Sequence, residues 1–231
     1  MSRLPIVYLG PSIPRAAAEQ LLSADYRPPI RRGDLPARCQ GRTVIIIDGE
    51  FGQSLSVSPK EILQLLDQGT RVIGAASMGA LRAAELYPYG MAGCGWIFEA
   101  YKAGLIIGDD EVALSYSPID ASPLTIPLVN VRFWLKQLQA AGRLDSATAR
   151  RLLRTARQIF YAERTFKRLQ QEFEAISGAT AIKSLMRTEQ DITDIKGADA
   201  KLALLRATSA PLIKLRRKEG SINGYQETRV G

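Results

Sequence analysis

The stretch Arg42-Thr43-Val44-Ile45-Ile46-Ile47 sets the tightest limit on the fold. It is a β-branched run in which no polar residues alternate with the apolar ones, so it reads as a strand covered on both faces. Such strands belong to parallel sheets flanked by helices, and the surrounding pattern agrees. Residues 4–9 and 70–73 predict two more short buried strands, and residues 14–22, 78–86 and 96–102 predict helices. Another helix opens at Ser58, which offers an N-cap, with Pro59 at the first helical position and Glu61 completing a capping box. Residues 26–36, with two adjacent prolines and Gly33 among charges, read as a solvated loop, and residues 112–116 as a short strand-like piece. The alternation predicts an α/β fold: a Rossmann-like three-layer core with a parallel sheet, over residues 1–125.

From Pro127 the periodicity is helical. Residues 126–210 predict a helical extension that either covers one side of the sheet or forms a small bundle, with helices over 146–160 and 161–176. Residues 211–231, basic and rich in glycine and polar residues, predict a loose tail. Arg143, Arg150, Arg151, Arg154, Arg157, Arg164, Lys167 and Arg168 face only Asp145 and Glu163 in that part of the sequence. They form either a solvated basic face or a docking surface for an acidic partner.

With 231 residues, 46% of them hydrophobic, the chain has ample material for one core with an appendage. No apolar run is long enough to cross a bilayer, no secretory signal pattern is evident, and Cys39 and Cys94 are far apart. These features predict reduced thiols in a cytoplasmic protein. There is no histidine, which excludes a Ser-His-Asp triad, a Cys-His dyad and a histidine metal cluster. Any general base must be Lys, Asp, Glu, Tyr or Cys. The net charge of +8 points to an anionic partner without choosing one. Nucleic acid is disfavoured, because the basic stretches lack interleaved aromatics and any recognised binding motif.

The chemistry-bearing positions sit where strands end. Ser77 lies between the strand at 70–73 and the helix at 78–86, after the small residues Gly74, Ala75 and Ala76. A serine there is either a helix cap or a group displayed at the carboxyl edge of the sheet. Ser12 occupies a similar junction. Asp48, Gly49 and Glu50 follow the central strand, where buried acids must be paired or used. Lys60 sits awkwardly near a helix N-terminus. Asp109, Asp110 and Glu111 form either a solvated turn or, less in keeping with dispersed carboxylate sites, a magnesium site. Gly93-Cys94-Gly95 is not a dinucleotide fingerprint, and no phosphate-binding loop is present.

Several motifs fall in order: Tyr8-Leu9-Gly10-Pro11-Ser12, Arg32-Gly33-Asp34-Leu35, Ile47-Asp48-Gly49, Lys60-Glu61-Ile62-Leu63, Gly74 through Leu86, Gly90-Met91, and Asp109-Asp110-Glu111-Val112-Ala113. Together they resemble the TfuA-like family over residues 4–131. The run Ser77-Met78-Gly79-Ala80-Leu81-Arg82-Ala83-Ala84-Glu85-Leu86 is the most specific part. The family's helix-start motif reads His-Lys-Glu-Ile-Leu, and here Pro59 stands in place of the histidine.

The resemblance implies an accessory protein of ribosomal peptide modification that partners a YcaO-type enzyme. It also implies sulfide supply for backbone thioamidation, by hydrolysis of the thiocarboxylated C-terminus of a ubiquitin-like sulfur carrier. The precursor peptide is a further possible partner, and no cofactor or metal is expected. Ser77 is then the candidate nucleophile, with the N–H groups of Met78 and Gly79 as oxyanion donors. Lys60 is the candidate activator and Asp48 the group that orients it; alternatively Asp48 or Glu61 activates water directly. Arg82 is a candidate for holding an anionic intermediate. Gly10, Ser12, Gly49, Asp110 and Glu111 are further candidate substrate-binding positions. The competing expectation is a non-catalytic adaptor that docks onto the YcaO enzyme and stabilises or recruits it.

Overall fold

The computed structural model describes residues 4–39, 41–52 and 55–208. The predicted tail at 211–231 lies outside them. The described strands are β1 (Ile6–Tyr8), β2 (Asp25–Arg27), β3 (Thr43–Ile46), β4 (Arg71–Gly74) and β5 (Ala92–Gly93). They form one sheet in the order β2-β1-β3-β4-β5, and every pairing is parallel. The register sets Ile6 against Val44 and Val44 against Val72. The chain is therefore α/β with a parallel sheet, followed by a helical C-terminal part.

Both faces of the sheet are buried, as the unalternated β3 run requires. Val44 and Ile46 point into one core, which also holds Ile62 of α2 (Pro59–Asp67), Ala80 and Ala83 of α3 (Met78–Leu86), and Ile97 of α4 (Trp96–Lys102). Ile45 and Ile47 point into the other, with Ala18 of α1 (Arg15–Glu19) and Ala200, Ala203 and Leu204 of α9 (Ile195–Thr208). The last described helix thus returns to complete the third layer. Between α4 and α9, the helices α5 (Leu128–Ala140), α6 (Ser146–Gln158), α7 (Phe166–Ser177) and α8 (Ala179–Leu185) enclose a separate apolar cluster, in which Trp134 stacks on Phe173 at 6.5 Å. Among the described residues, no helix is long and apolar enough to cross a membrane.

Three local expectations differ from the structure. The stretch 26–36 is not all loop, because its start belongs to the edge strand β2. There Tyr26 turns inward and its hydroxyl donates to the carbonyl of Ala18 at 2.8 Å, while Asp25 and Arg27 pair with each other outside. Residues 112–116 are not a strand; only Tyr116 makes an isolated bridge, to Pro123. The segment 161–176 is not one helix. A 3₁₀ turn at Tyr161–Glu163 is separated from α7 by Arg164 and Thr165. Thr165 caps α7 by accepting from the Arg168 N–H, and Arg164 folds back to donate to the carbonyls of Ala156 and Ile159 at the end of α6.

Candidate functional site

The strand order reverses between β1 and β3, and parallel sheets bind ligands outside the carboxyl ends of their strands at such a switch. Asp48 follows β3 at that point and is 2% exposed. Its Oδ2 accepts from the backbone N–H groups of Gly10 (2.9 Å) and Ser12 (3.1 Å), and its Oδ1 accepts from the Ser12 hydroxyl (2.6 Å). Gly10 and Ser12, both after β1, are thus drawn to Asp48. No Cβ fits at Gly10, since it would stand 2.5 Å from Pro29 Cγ.

Ser77 ends the β4–α3 connection. Ala76 before it has φ +64°, a left-handed conformation costly for a residue with a Cβ. Ser77 occupies the N-cap position of α3, yet its side chain makes no capping bond. The turn is held by contacts that only small residues permit. A Cβ on Gly79 would lie 1.7 Å from the Ile46 carbonyl oxygen, and one on Gly74 would lie 2.1 Å from the Gly79 oxygen. The Gly79 N–H donates to the Ile47 carbonyl at 3.2 Å. Of the two amides expected to serve an oxyanion, Gly79's is therefore spent in packing, which leaves Met78's.

Ser77 and Asp48 share the wall of a cavity of about 110 Å³ with Gly49, Tyr116, Tyr161 and Lys196. Lys196 comes from the first turn of α9 and is 2% exposed. Its Nζ donates to the Val112 carbonyl at 2.9 Å. Burial pushes its pKa down, and the carboxylates of Asp48 and Asp194 act against that shift. The Tyr116 hydroxyl donates to Glu50 Oε1 at 2.6 Å; burial and then this bond push it up to about 12. A larger cavity of about 340 Å³ adjoins at Pro11, Leu114 and Lys196. A groove of about 780 Å³ adjoins at Pro11, Pro29, Glu50 and Tyr116.

The remaining expected site residues lie elsewhere. Lys60 is exposed at the start of α2 and does not line this cavity. Glu61 completes the capping box, its Oε2 accepting from the Ser58 N–H at 2.8 Å, and it also accepts from the Gly33 N–H. Partial burial raises its pKa, but these bonds outweigh that effect and hold it below the usual range. Arg82 donates to the Val57 carbonyl at 2.9 Å and pairs with Glu85, so it ties α3 to the loop before α2. Glu111 is fully buried between Arg132 and Arg157, and it fastens its 3₁₀ turn to α5 and α6. Asp110 sits beside it, outside the Ser77 cavity. Among the described residues, no group of three His, Cys, Asp or Glu side chains is placed to hold a metal ion.

The sequence reading missed Lys196, Tyr116 and Tyr161. A signal for the first existed: Lys196, Ala200 and Ala203 lie at i, i+4 and i+7 on one helical face, which sets a lysine on an otherwise apolar stripe. Ala75-Ala76-Ser77-Met78-Gly79 likewise has the small-x-Ser-x-Gly form of a strand-to-helix elbow, where a serine is displayed on a sharp turn.

The fold and the candidate site define a class: a parallel α/β protein with a cavity at the topological switch, lined by a serine at a strand-to-helix turn. Residues 48–165, just over half of the chain, match the TfuA-like protein family, and the chain belongs to it. That family supports an accessory role in the modification of ribosomally made peptides. The matched region includes Asp48, Ser77, Tyr116 and Tyr161, and ends before Lys196. A search of curated proteins finds no match.

Proposed function

We propose that this protein supplies sulfide to a YcaO-type partner by hydrolysing the C-terminal thiocarboxylate of a ubiquitin-like sulfur carrier. The observation that carries this reading is the presence of the Ser77 hydroxyl and the Lys196 amine on one small cavity, where burial favours the neutral amine. A neutral lysine accepts a proton and a protonated one does not, so depressed basicity is what the chemistry needs.

Ser77 Oγ attacks the thiocarboxylate carbon and passes its proton to Lys196 Nζ. A thiocarboxylate is already an anion, so its sulfur leaves only if protonated. Lys196 returns the proton to the sulfur, the C–S bond breaks, and hydrosulfide departs. Water then cleaves the Ser77 ester with Lys196 again as base, which leaves the carrier carboxylate and a free serine. The Met78 N–H, not engaged by the backbone as Gly79's is, is the donor left for the developing oxyanion. Asp48, fixed by Gly10 and Ser12, holds negative charge near the ammonium that forms in each step.

The test is to incubate purified protein with thiocarboxylated carrier and to follow hydrosulfide release together with carrier mass. Ser77→Ala should lose up to about 10⁶-fold in rate, the scale on which removal of a serine nucleophile is felt. A Ser77→Ala protein that sustains thioamidation at full rate with the YcaO enzyme, ATP and thiocarboxylated carrier would refute the hydrolase. It would leave the adaptor role.

A further inference from the structure

Arg150, Arg154 and Arg157 stand at i, i+4 and i+7 of α6, on one flank of the helix, about 10 Å along its axis. Ala149, Leu152 and Ala156 are the buried positions, and Leu152 and Ala156 belong to the helical cluster. Between Ser146 and Gln158 the helix contains no acidic residue. Among the described residues, Arg150 and Arg154 make no ion pair, and Arg157 reaches only Glu111, at 3.2 Å, with 56% of its side chain exposed. Three like charges on one flank repel one another, so an isolated helix gains nothing from this arrangement.

The stripe also has a direction. Its C-terminal end runs into Phe160, 58% exposed, whose ring lies 4.5 Å from that of Tyr161. Tyr161 lines the Ser77 cavity. Glu111, which Arg157 contacts, precedes Val112, another residue of the cavity wall. The positive flank and an exposed aromatic therefore lead to the mouth of the site.

We propose that this face of α6, with Phe160 at its end, is where the globular body of the carrier docks through an acidic patch while its tail enters the cavity; the inference rests on the hydrolase reading above. The cavity admits only a thin tail, so the rest of the carrier must settle on the rim. A positive stripe beside the mouth attracts an acidic body and sets its orientation, with most of the effect in the encounter.

The experiment compares two substrates on full-length protein: the thiocarboxylated carrier, and a short peptide thioacid that ends in its Gly-Gly tail. The variant is Arg150→Glu/Arg154→Glu, two exposed positions that leave the Glu111 pairs intact. A KM for the carrier raised about tenfold or more in the variant, with the wild-type KM itself rising as salt is added and peptide hydrolysis unchanged, bears the proposal out. Carrier kinetics that the substitutions leave unchanged, or carrier and peptide impaired to the same extent, overturn it. Loss of binding to random RNA with carrier kinetics unchanged also overturns it, in favour of nucleic acid. Titration of the non-thiolated carrier separates this question from the chemistry. If the wild type cleaves neither substrate but binds the carrier through the same arginines, the surface stands and the hydrolase reading falls.

Discussion

Replacing Lys196 with methionine separates the two things this residue does. Methionine keeps the unbranched apolar stem and removes the amine, so packing between α9 and the sheet is preserved. The Val112 carbonyl loses its 2.9 Å donor, a cost of about 1–3 kcal/mol for a buried acceptor left unpaired. Against this, an amine that is 2% exposed no longer has to be desolvated, and buried charged groups are often replaced at no net cost. Stability should therefore change by less than about 2 kcal/mol in denaturant melts. Activity should not be spared: loss of the proton carrier costs about 10²–10⁴-fold in hydrosulfide release. The pH dependence gives a second check. Burial lowers the lysine pKa from 10.5, so the folded protein binds fewer protons than the unfolded chain between the two values. Wild-type stability gains from this group as pH rises through that window, and loses the gain as pH falls through the folded pKa. The methionine variant lacks the component, so the wild type improves against it toward alkaline pH. The wild-type rate likewise rises with pH through the depressed pKa. A methionine variant with full activity and an unaltered rate profile would refute the assignment of Lys196 as the base.

Gly79→Ala should be far more damaging than its chemistry suggests. The new methyl would meet the Ile46 carbonyl at 1.7 Å, so α3 must retreat and carry Ser77 with it; a displacement of about 1 Å costs on the order of 10²-fold in rate. Melts and the hydrosulfide assay should both register the loss. Asp199 accepts from the N–H groups of Trp96 and Ile97, and burial raises it from 3.8 to about 6. Its raised pKa favours the folded state fully below 3.8, and that contribution is lost as pH rises through 6; it is worth about 3 kcal/mol. Asp199→Asn removes it, so the stability difference between the proteins should move by most of that amount, about 2 kcal/mol, between pH 7 and 4. Pro59→His restores the family's usual residue at the start of α2, away from the Ser77 cavity. Hydrosulfide release should be unchanged; a large gain would show that this helix start takes part in the reaction.

The sheet was readable because its strands are buried on both faces. Ile45, Ile46 and Ile47 in succession leave no solvent side, and only flanking helices satisfy that. The capping box at Ser58 and Glu61 was readable because both partners lie within one helical turn. Edge strand β2 was not, because its register is set by β1 and its outward residues are charged, the usual way to protect an edge. The break at Arg164 was also hidden. An arginine in a basic stretch looks like surface, yet this one is 1% exposed and ends α6 by bonding its last carbonyls.

The site divides along the same line between local and distant determinants. Ser77 could be singled out because everything that shapes its turn lies between Gly74 and Gly79. Lys196 could not, because the lysine that stood out was Lys60, a cation at a helix N-terminus, and α2 holds Lys60 exposed and off the cavity wall. Lys196 is more than a hundred residues away, brought home only because α9 supplies the missing cover for the face holding Ile45, Ile47 and Ile73. The sheet demands an apolar helix there, and a lysine in that helix's first turn is delivered, only 2% exposed, to the carboxyl ends of the strands. The fold therefore does the work of lowering its basicity: the packing that closes the third layer also strips solvent from the amine. On the proposed reading, chemistry at Ser77 therefore depends on the docking of α9, because the helix that covers the Ile45, Ile47 and Ile73 face is the one that brings Lys196 to the cavity.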